Sequence, residues 1–277
     1  MAYSKFKPTV WSENIQRQLE GHLVLKQDCD FGYDGDAKRG EKVKILGVGR
    51  PTVGDYTGDD IGAPETVDGT YMFLEIDQAK FFNFMIDDID RAQAIDGLMD
   101  SLVKESAVAL ATEADSHIAR VIHEAATTAP VEVGVSASTR VATPEAAKRL
   151  VDGAFEQLWA NGVGTNETIT ITISPWFYNL FKDRLTELAS NNEELIAQGA
   201  IGMYNNALVR LSNNLFNNGT DDFMIVRTNN AIAYAGQVNN TEAYRPEGLF
   251  ADAVKGLYTY GAKVVRPKEM FVIRAHR

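Results

Sequence analysis

Acidic side chains crowd into one short part of the chain, where together they could bind a divalent metal ion. Five aspartates lie between positions 87 and 100: Asp87, Asp88, Asp90, Asp96 and Asp100. Carboxylate oxygens are the ligands that Mg²⁺ and Ca²⁺ prefer, and a metal held there could activate water. However, a long helical pattern begins among these residues, and negative side chains in the first turn of a helix stabilise it through the helix dipole. We therefore interpret the cluster as a helix start, with Asp90 as a capping residue.

A second acidic stretch resembles a calcium-binding loop without completing it. In "DFGYDGDAKRGE", Asp30, Asp34, Gly35 and Glu41 stand at the first, fifth, sixth and twelfth positions of such a loop. Gly32 leaves the third position without a ligand, and the flanking residues lack helical periodicity. The stretch is therefore more typical of a turn than of a metal site.

The sequence contains only incomplete versions of other catalytic or metal-binding motifs. Glu113 and His117 are four residues apart, as on one face of a helix, but a single pair does not make a metal site. The motif "HEAAT" lacks the second histidine of a zinc protease, and Cys29 has only His22 near it in sequence. The sequence therefore predicts no catalytic residue, no cofactor and no bound metal. A metal-dependent cytosolic enzyme built on the aspartate cluster is the least favoured alternative.

Charge and composition argue against other classes of protein. A net charge of −11 argues against a protein that grips nucleic acid through its phosphates. No apolar run is long enough for a membrane span, and the single cysteine fits a reducing cytosol. Residues 87–124 contain nine acidic and three basic residues, whereas residues 255–277 contain six basic residues and one acidic residue. This imbalance indicates either solvated surface or complementary patches that meet between copies of the chain.

The N-terminal third predicts an arm and a protruding hairpin. Residues 1–32 show no sustained hydrophobic period, as in an arm that lies across another surface. Residues 42–48 and 70–77 read as strands, since apolar residues alternate in "TYMFLEID". The segment between them, "GVGRPTVGDYTGDDIGAPETVDG", is rich in glycine, which predicts a long hairpin loop.

The clearest pattern in the chain is that of one long helix. Apolar residues recur at helical spacing from Ile95 to Ala125 without a break, with charged residues on the opposite face. We expect a helix over about residues 95–126, roughly 48 Å long at 1.5 Å per residue.

The second half alternates helices and strands. "TPEAAKRLVDGAFEQLWANG" predicts a helix with Thr143 as its N-cap and Pro144 at its first position. "ETITITIS" predicts a strand and "PWFYNLFKDRL" another helix, while "DFMIVRTNNAIAYAGQ" predicts two paired strands. Repeated Asn-Asn pairs predict turns, because asparagine tolerates left-handed conformations. The C-terminal residues read as strands again, with a break at Pro267.

Five stretches, in this order, resemble the major capsid proteins of tailed bacteriophages: "FKPTVWSENIQRQL", "GEKVKILGVGRPTVGDY", "LEIDQAKFFNFMIDDIDRAQA", "IGMYNNALVRLSNNL" and "ADAVKGLYTYGAKVVRPKEMFVI". The resemblance runs nearly from end to end. It implies the α+β fold shared by tailed-phage and herpesvirus capsids. Its parts are expected to be an N-terminal arm (1–32), an extended hairpin loop (33–86), a peripheral domain with a long spine helix (87–138 and 239–277) and an axial domain (139–238).

The resemblance also implies a structural function without catalysis. Copies would assemble through hexamers and pentamers into an icosahedral head around double-stranded DNA, in the cytoplasm of the bacterial host, without sequence-specific DNA binding. The expected partners are other copies of the chain, a separate scaffolding protein and the portal, and no membrane; whether a decoration protein binds is left open by the sequence. The nearest rival is an encapsulin, a cellular compartment shell of the same fold that stores an enzyme cargo.

Seven residues are predicted to contact neighbouring subunits. An unpatterned arm and a glycine-rich hairpin contribute little to a core of their own, so they are expected to become ordered on neighbours. The basic C-terminal strands are expected to face acidic patches of adjacent copies. The predicted contact residues are Trp11 in the arm, Arg50, Asp55 and Tyr56 in the hairpin, and Lys255, Arg266 and Lys268 near the C-terminus.

Overall fold

The computed structural model describes residues 23–30, 32, 42–47, 70–87, 98–182 and 200–277, which form four α-helices and eleven strands. The helices are α1 (Leu98–Thr128), α2 (Pro130–Val133), α3 (Pro144–Ala160) and α4 (Pro175–Phe181). The strands are β1 (Lys42–Gly47), β2 (Thr70–Glu75), β3 (Gln78–Asp87), β4 (Thr139–Arg140), β5 (Ile169–Ile173), β6 (Ala200–Tyr204), β7 (Ala207–Leu211), β8 (Asp222–Thr228), β9 (Ile232–Tyr244), β10 (Ala251–Val264) and β11 (Met270–His276).

The long helix that the sequence predicted is present as α1. Its 31 residues extend over about 46 Å at 1.5 Å per residue. One stripe of the helix is buried, and its many alanines let the helix axis approach the neighbouring sheets closely. The buried stripe includes Val103, Ala107, Leu110, Ala111, Ala114, Ile118 and Ile122.

A three-stranded antiparallel sheet packs against α1, with β10 between β3 and β9. Along β3 the even-numbered side chains turn inward, so that Phe82 and Phe84 pack near Val103 and Ala107 of α1. Tyr234 and Tyr258 share a buried hydrogen bond of 2.7 Å between their hydroxyl groups. The inner face of this sheet and α1 therefore share one core.

A six-stranded sheet in the order β4-β11-β8-β5-β7-β6 forms the second layer. All five residues of β5 are buried, because the strand lies inside the sheet and both of its faces are covered. Helices α3 and α4 pack on one face, and the core around α1 lies on the other. The side chain of Thr143 accepts a hydrogen bond from Ala146 N at 3.3 Å, which confirms it as the N-cap of α3.

One strand pairing predicted from the sequence is wrong. We expected the strands within "DFMIVRTNNAIAYAGQ" to pair with each other, but β8 pairs with β5 and β11 in the six-stranded sheet, and β9 pairs with β10 in the other sheet. The chain crosses between sheets at Asn229 and Asn230. By contrast, Asn205 and Asn206 do form a hairpin turn between β6 and β7, with φ angles of 47° and 65°.

The predicted hairpin is confirmed at its base, where β1 and β2 pair antiparallel from Lys42↔Glu75 to Gly47↔Thr70. Val43, Ile45 and Leu74 pack against Ala233 and Ala235 of β9, so the base of the hairpin belongs to the core of its own subunit. Residues 78–86, which the prediction included in the hairpin, instead lie in β3 of the three-stranded sheet.

Residues 23–30, which the prediction placed in the arm, pack inside the subunit. Leu23 and Leu25 are buried against α1, and Asp30 exchanges backbone hydrogen bonds with Ile232 and Tyr234 at the start of β9. The predicted arm therefore includes residues 23–30, which are part of the core of the subunit.

Candidate protein interaction surface

The outer face of the three-stranded sheet presents large apolar side chains to solvent. Because side chains alternate along a strand, Phe81 and Met85 of β3 point away from α1, and Phe81 is 77% exposed. Phe81 is paired with Leu257 of β10, so their side chains lie on the same face of the sheet. Exposed apolar residues that cluster in this way mark interaction sites more often than single ones do.

The apolar surface continues onto the connection between β9 and β10. Gly248 has a φ of 84°, a left-handed conformation that glycine adopts readily. The two residues that follow, Leu249 and Phe250, are exposed, Phe250 at 81%. Ala251, the next residue, is paired with Asp87 at the end of β3, next to the Met85 end of the sheet. We call this surface the outer patch; it comprises Phe81, Met85, Tyr244, Leu249, Phe250 and Leu257.

Lys255 lies within the outer patch and is paired inside its own chain. Its Nζ is 2.8 Å from Glu242 Oε2 and lies 5.2 Å from the centre of the Tyr244 ring. The hydrogen bond to Glu242 raises the pKa of Lys255. Phe81, Leu257 and this ion pair line a shallow cavity of about 340 Å³. The patch thus combines an apolar surface with one fixed, solvent-exposed ion pair.

The other two basic residues of the prediction lie between β10 and β11. The Arg266 Nη1 atom is 2.9 Å from Glu269 Oε1. Lys268 is exposed, and its backbone carbonyl accepts a hydrogen bond from Asn161 Nδ2 at 3.0 Å. Lys255 and Arg266 thus have acidic partners in their own chain, and the contact of all three residues with neighbouring subunits stays a prediction. Trp11, Arg50, Asp55 and Tyr56 lie outside the described residues.

Those residues considered for catalysis or metal binding that the structure describes do not converge on one site. Glu113 is paired with Lys80 at 2.9 Å, and His117 Nδ1 is 2.9 Å from Arg120 Nη2, so the two do not form a pair with each other. Asp30 Oδ1 accepts a hydrogen bond from Gly32 N at 2.9 Å, as in the expected turn. Asp87 ends β3, and Asp90 lies outside the described residues. In the part of the chain that the structure describes, no three acidic, histidine or cysteine side chains are placed to hold a metal ion.

Sequence reasoning missed all six residues of the outer patch and named only Lys255, which lies among them. In "FFNFMID" both faces of the strand carry apolar residues, so no alternation of apolar and polar residues marked it as a strand. The available signal was the excess of aromatic residues in a run that one buried face cannot accommodate.

Among the described helices, none is long and apolar enough to cross a membrane.

Solved structures share this fold over most of the chain. A chain from Mycobacterium phage Che8 is 29% identical, with a TM-score of 0.67, and the match covers 91% of this chain and 90% of that one. A chain from the capsid of the cyanophage P-SCSP1u is 16% identical, with a TM-score of 0.64 and coverage of 86% and 84%. A chain from a virus-like particle of Pyrococcus furiosus is 12% identical, with a TM-score of 0.58 and coverage of 98% and 99%. No family model and no curated protein matches the chain.

These similarities confirm two predictions made from the sequence. The fold is the α+β fold of tailed-phage capsid proteins, and the chain resembles the major capsid proteins of such phages. At 11–16% identity the capsid structures establish the fold of this chain.

Proposed function

We propose that this chain is the major capsid protein of a tailed phage, and that its copies assemble through hexamers and pentamers into an icosahedral head around double-stranded DNA. The observation that carries the proposal is the fold shared, over 91% of the chain, with the structure from Mycobacterium phage Che8. A protein of this kind needs no catalytic centre, because its work is done by contacts between identical chains.

The exposed apolar side chains of the outer patch give a physical reason to expect contacts between copies of the chain. A sheet face with Phe81, Met85 and Leu257 exposed keeps apolar area in water that contact with another chain would bury. Aromatic and methionine side chains are enriched in protein interfaces. We infer that the patch is covered by another copy of the chain in the assembled shell.

The proposed partners follow from the same role. A scaffolding protein and a portal would act during assembly in the cytoplasm of the bacterial host, and the finished head would offer an outer surface for a decoration protein if the phage has one. DNA would be enclosed without sequence-specific contacts, in keeping with a net charge of −11.

Expression of the full chain, alone and together with a scaffolding protein, tests the proposal. We expect closed icosahedral particles in electron micrographs of at least one of the two preparations. A chain that stays monomeric at high concentration in both preparations would contradict the proposal.

A compartment shell is the second candidate function. The match to the virus-like particle from Pyrococcus furiosus covers 98% of this chain, although at 12% identity. The contents of particles purified from their natural source separate the two candidates. Packaged double-stranded DNA would support a phage head, and a protein cargo without DNA would support a compartment shell.

A further inference from the structure

Strand β3 forms one edge of the three-stranded sheet. It pairs with β10 along its whole length, from Gln78 to Asp87, and none of the described strands pairs with its other side. The strand is ten residues long, and its register with β10 has no shift. An edge strand carries a row of backbone N–H and C=O groups that a further strand can bind. In β3 this row is long and regular.

The other described sheet edges are less suited to pairing with a further strand. Strand β4 has only two residues, and β6 has five, with Gly202 and a register shift among them. The pairing of β9 with β10 is interrupted between Leu257 and Tyr258 of β10. By contrast, β3 contains no proline, glycine or bulge, and its one lysine, Lys80, forms an ion pair with Glu113 of α1 at 2.9 Å. Strand β3 therefore lacks the features that usually protect an edge.

Both faces of β3 leave apolar side chains partly uncovered. On the outer face, Phe81 is 77% exposed and Met85 is 59% exposed. On the inner face, Phe82 and Phe84 pack against α1 but are only half-buried, with their ring centres 6.0 Å apart. A strand added beside β3 would bury apolar area on both faces and bind the backbone groups of the edge. The strand that fits best therefore carries apolar residues on both of its own faces.

A second copy of β3 meets this requirement in one register. When two copies run antiparallel about a two-fold axis at Asn83, Phe81 lies opposite Met85 of the second copy on the outer face. On the inner face, Phe82 lies opposite Phe84 of the second copy, and the symmetry produces each pair twice. Moving the axis to residue 82 or 84 would instead place Asn83 opposite Phe81 or Met85. A register that is shifted by one residue would put opposing side chains on different faces.

We propose that β3 binds β3 of a second copy of this chain across a two-fold axis at Asn83. The two three-stranded sheets then become one sheet of six strands, and the two outer patches lie side by side on one of its faces. The inference rests on the proposed function, because it names one of the contacts between copies in the shell. The pairing of two copies can nevertheless be measured without a complete shell.

A cysteine on the proposed axis tests the pairing directly. Directly opposite residues of paired strands have Cβ atoms about 4.5–5.5 Å apart, close enough for a disulfide bond or a short bis-maleimide cross-link. The test uses full-length Asn83→Cys, both as unassembled subunits and in particles, treated with copper-phenanthroline or the bis-maleimide. We expect a covalent dimer on denaturing gels, in at least tenfold larger amount than from the matched control.

The matched control is Ala79→Cys, an exposed position on the same face of the same strand. Two copies of residue 79 would be separated by eight residues along the paired strands, about 27 Å at roughly 3.4 Å per residue, so they should not be cross-linked. Cys29 is buried and is present in both variants, so it does not affect the comparison.

A charge on the axis provides a second, independent test. Asn83 is exposed, so Asn83→Lys should leave the subunit folded, as circular dichroism can verify, while it places two like charges opposite each other. We expect the association of two unassembled subunits, measured by sedimentation velocity, to weaken at least tenfold. Equal association of Asn83→Lys and the wild type would contradict the pairing.

The outcomes separate this inference from the proposed function. Normal particles from Asn83→Cys with no more covalent dimer than Ala79→Cys gives would overturn the β3 pairing and leave the shell function intact. Covalent dimers at residue 83 in a chain that never forms particles would support the pairing and contradict the shell function.

Discussion

At the scale of single residues, Asp115 is an acid placed where the helix buries its apolar stripe. It lies between Ala114 and Ile118, and burial raises its pKa to about 6, although the backbone N–H groups of Val24, Leu25 and Lys26 lower it. Arg227 of β8 and the Cys29 thiol interact with it electrostatically, and it shares a side-chain hydrogen bond with Asn214. Its protonation is therefore coupled to the packed state of the subunit.

The first prediction is that Asp115 makes the subunit more stable as the pH falls from 7 to 5. The folded pKa of about 6 lies above the ordinary value of 3.8, so the folded state takes up the proton before the unfolded state does. Linkage then gives about a tenfold gain in the ratio of folded to unfolded chains between these pH values, about 1.4 kcal/mol. Urea unfolding of the wild type and of Asp115→Asn at both pH values measures it. Equal pH dependence in the two proteins would contradict this assignment.

The second prediction concerns Asp221, which lies just before β8 and is hydrogen-bonded to side chains of β11. Its carboxylate accepts hydrogen bonds from Ser138 Oγ at 2.8 Å and Arg274 Nη2 at 3.0 Å, and lies 2.9 Å from His276 Nδ1. Because Asp221 is buried, Asp221→Ala leaves the partly buried Arg274 without this partner. We expect a loss of about 1.5–3 kcal/mol in the free energy of unfolding, because Arg274 is 35% exposed and water replaces part of the lost hydrogen bonding. Glu156→Gln, an exposed change on α3, is the control and should have little effect.

At the scale of elements, the base of the β1–β2 hairpin is fixed to the subunit by close backbone contact. A Cβ atom on Gly261 of β10 would lie 2.0 Å from the carbonyl oxygen of Glu75, at the end of β2. Lys263, on the same strand, donates a hydrogen bond to the carbonyl oxygen of Phe73 at 2.9 Å. The base of the hairpin is therefore held against β10.

The third prediction is that Gly261→Ala disturbs this contact. Its neighbours are backbone atoms, which cannot move aside as a side chain can, so we expect a loss of about 1–3 kcal/mol in stability. Gly153→Ala is the matched control, since nothing lies within 4 Å of the added methyl group on α3. That change should instead stabilise the protein by about 0.5–1 kcal/mol. Thermal unfolding of both variants measures the difference, and equal effects would contradict the account of Gly261.

The elements also show how far the sequence alone predicts this molecule. Helix α1 was predictable because its apolar residues repeat over many turns, and the β1–β2 pair because two patterned strands enclose a glycine-rich segment. Strand β3 was missed because both of its faces are apolar. The pairing of β8 and β9 was wrong because a turn such as Asn229-Asn230 is compatible with either a hairpin or a crossing between sheets. Residues 23–30 have no hydrophobic periodicity in the sequence, so only their buried partners Asp115 and Arg227 reveal their place in the core.

At the scale of the whole molecule, two kinds of surface are expected to contact other copies in the proposed shell. One is the apolar outer patch, and the other is the basic region near the C-terminus that contains Arg266 and Lys268. Interfaces in closed assemblies need both burial of apolar area and correct orientation. We therefore expect assembly through the basic region to depend on salt and on charge changes, and assembly through the outer patch to depend on its apolar side chains.

The fourth prediction is that the basic region contributes to assembly electrostatically. The double change Arg266→Glu, Lys268→Glu should reduce particle yield, and yield of the wild type should fall as ionic strength rises above roughly 0.15 M, where charges are screened within about 8 Å. Arg149→Glu, an exposed change on α3, is the control. Light scattering during assembly measures both effects. Assembly that is indifferent to salt and to the double change would show that Arg266 and Lys268 act only within their own chain.

The fifth prediction is that the outer patch is required for assembly but not for folding. Phe81 and Met85 are exposed in the subunit, so Phe81→Ser, Met85→Ser should change the free energy of unfolding by less than about 1 kcal/mol. Aromatic anchors carry a large share of interface energy, so we expect particle yield to fall at least tenfold. Val131→Ser is the control, since this valine is 92% exposed and lies outside the patch. Sedimentation velocity separates subunits from particles. A normal particle yield from the double variant would show that the outer patch is not one of the contacts that build the shell.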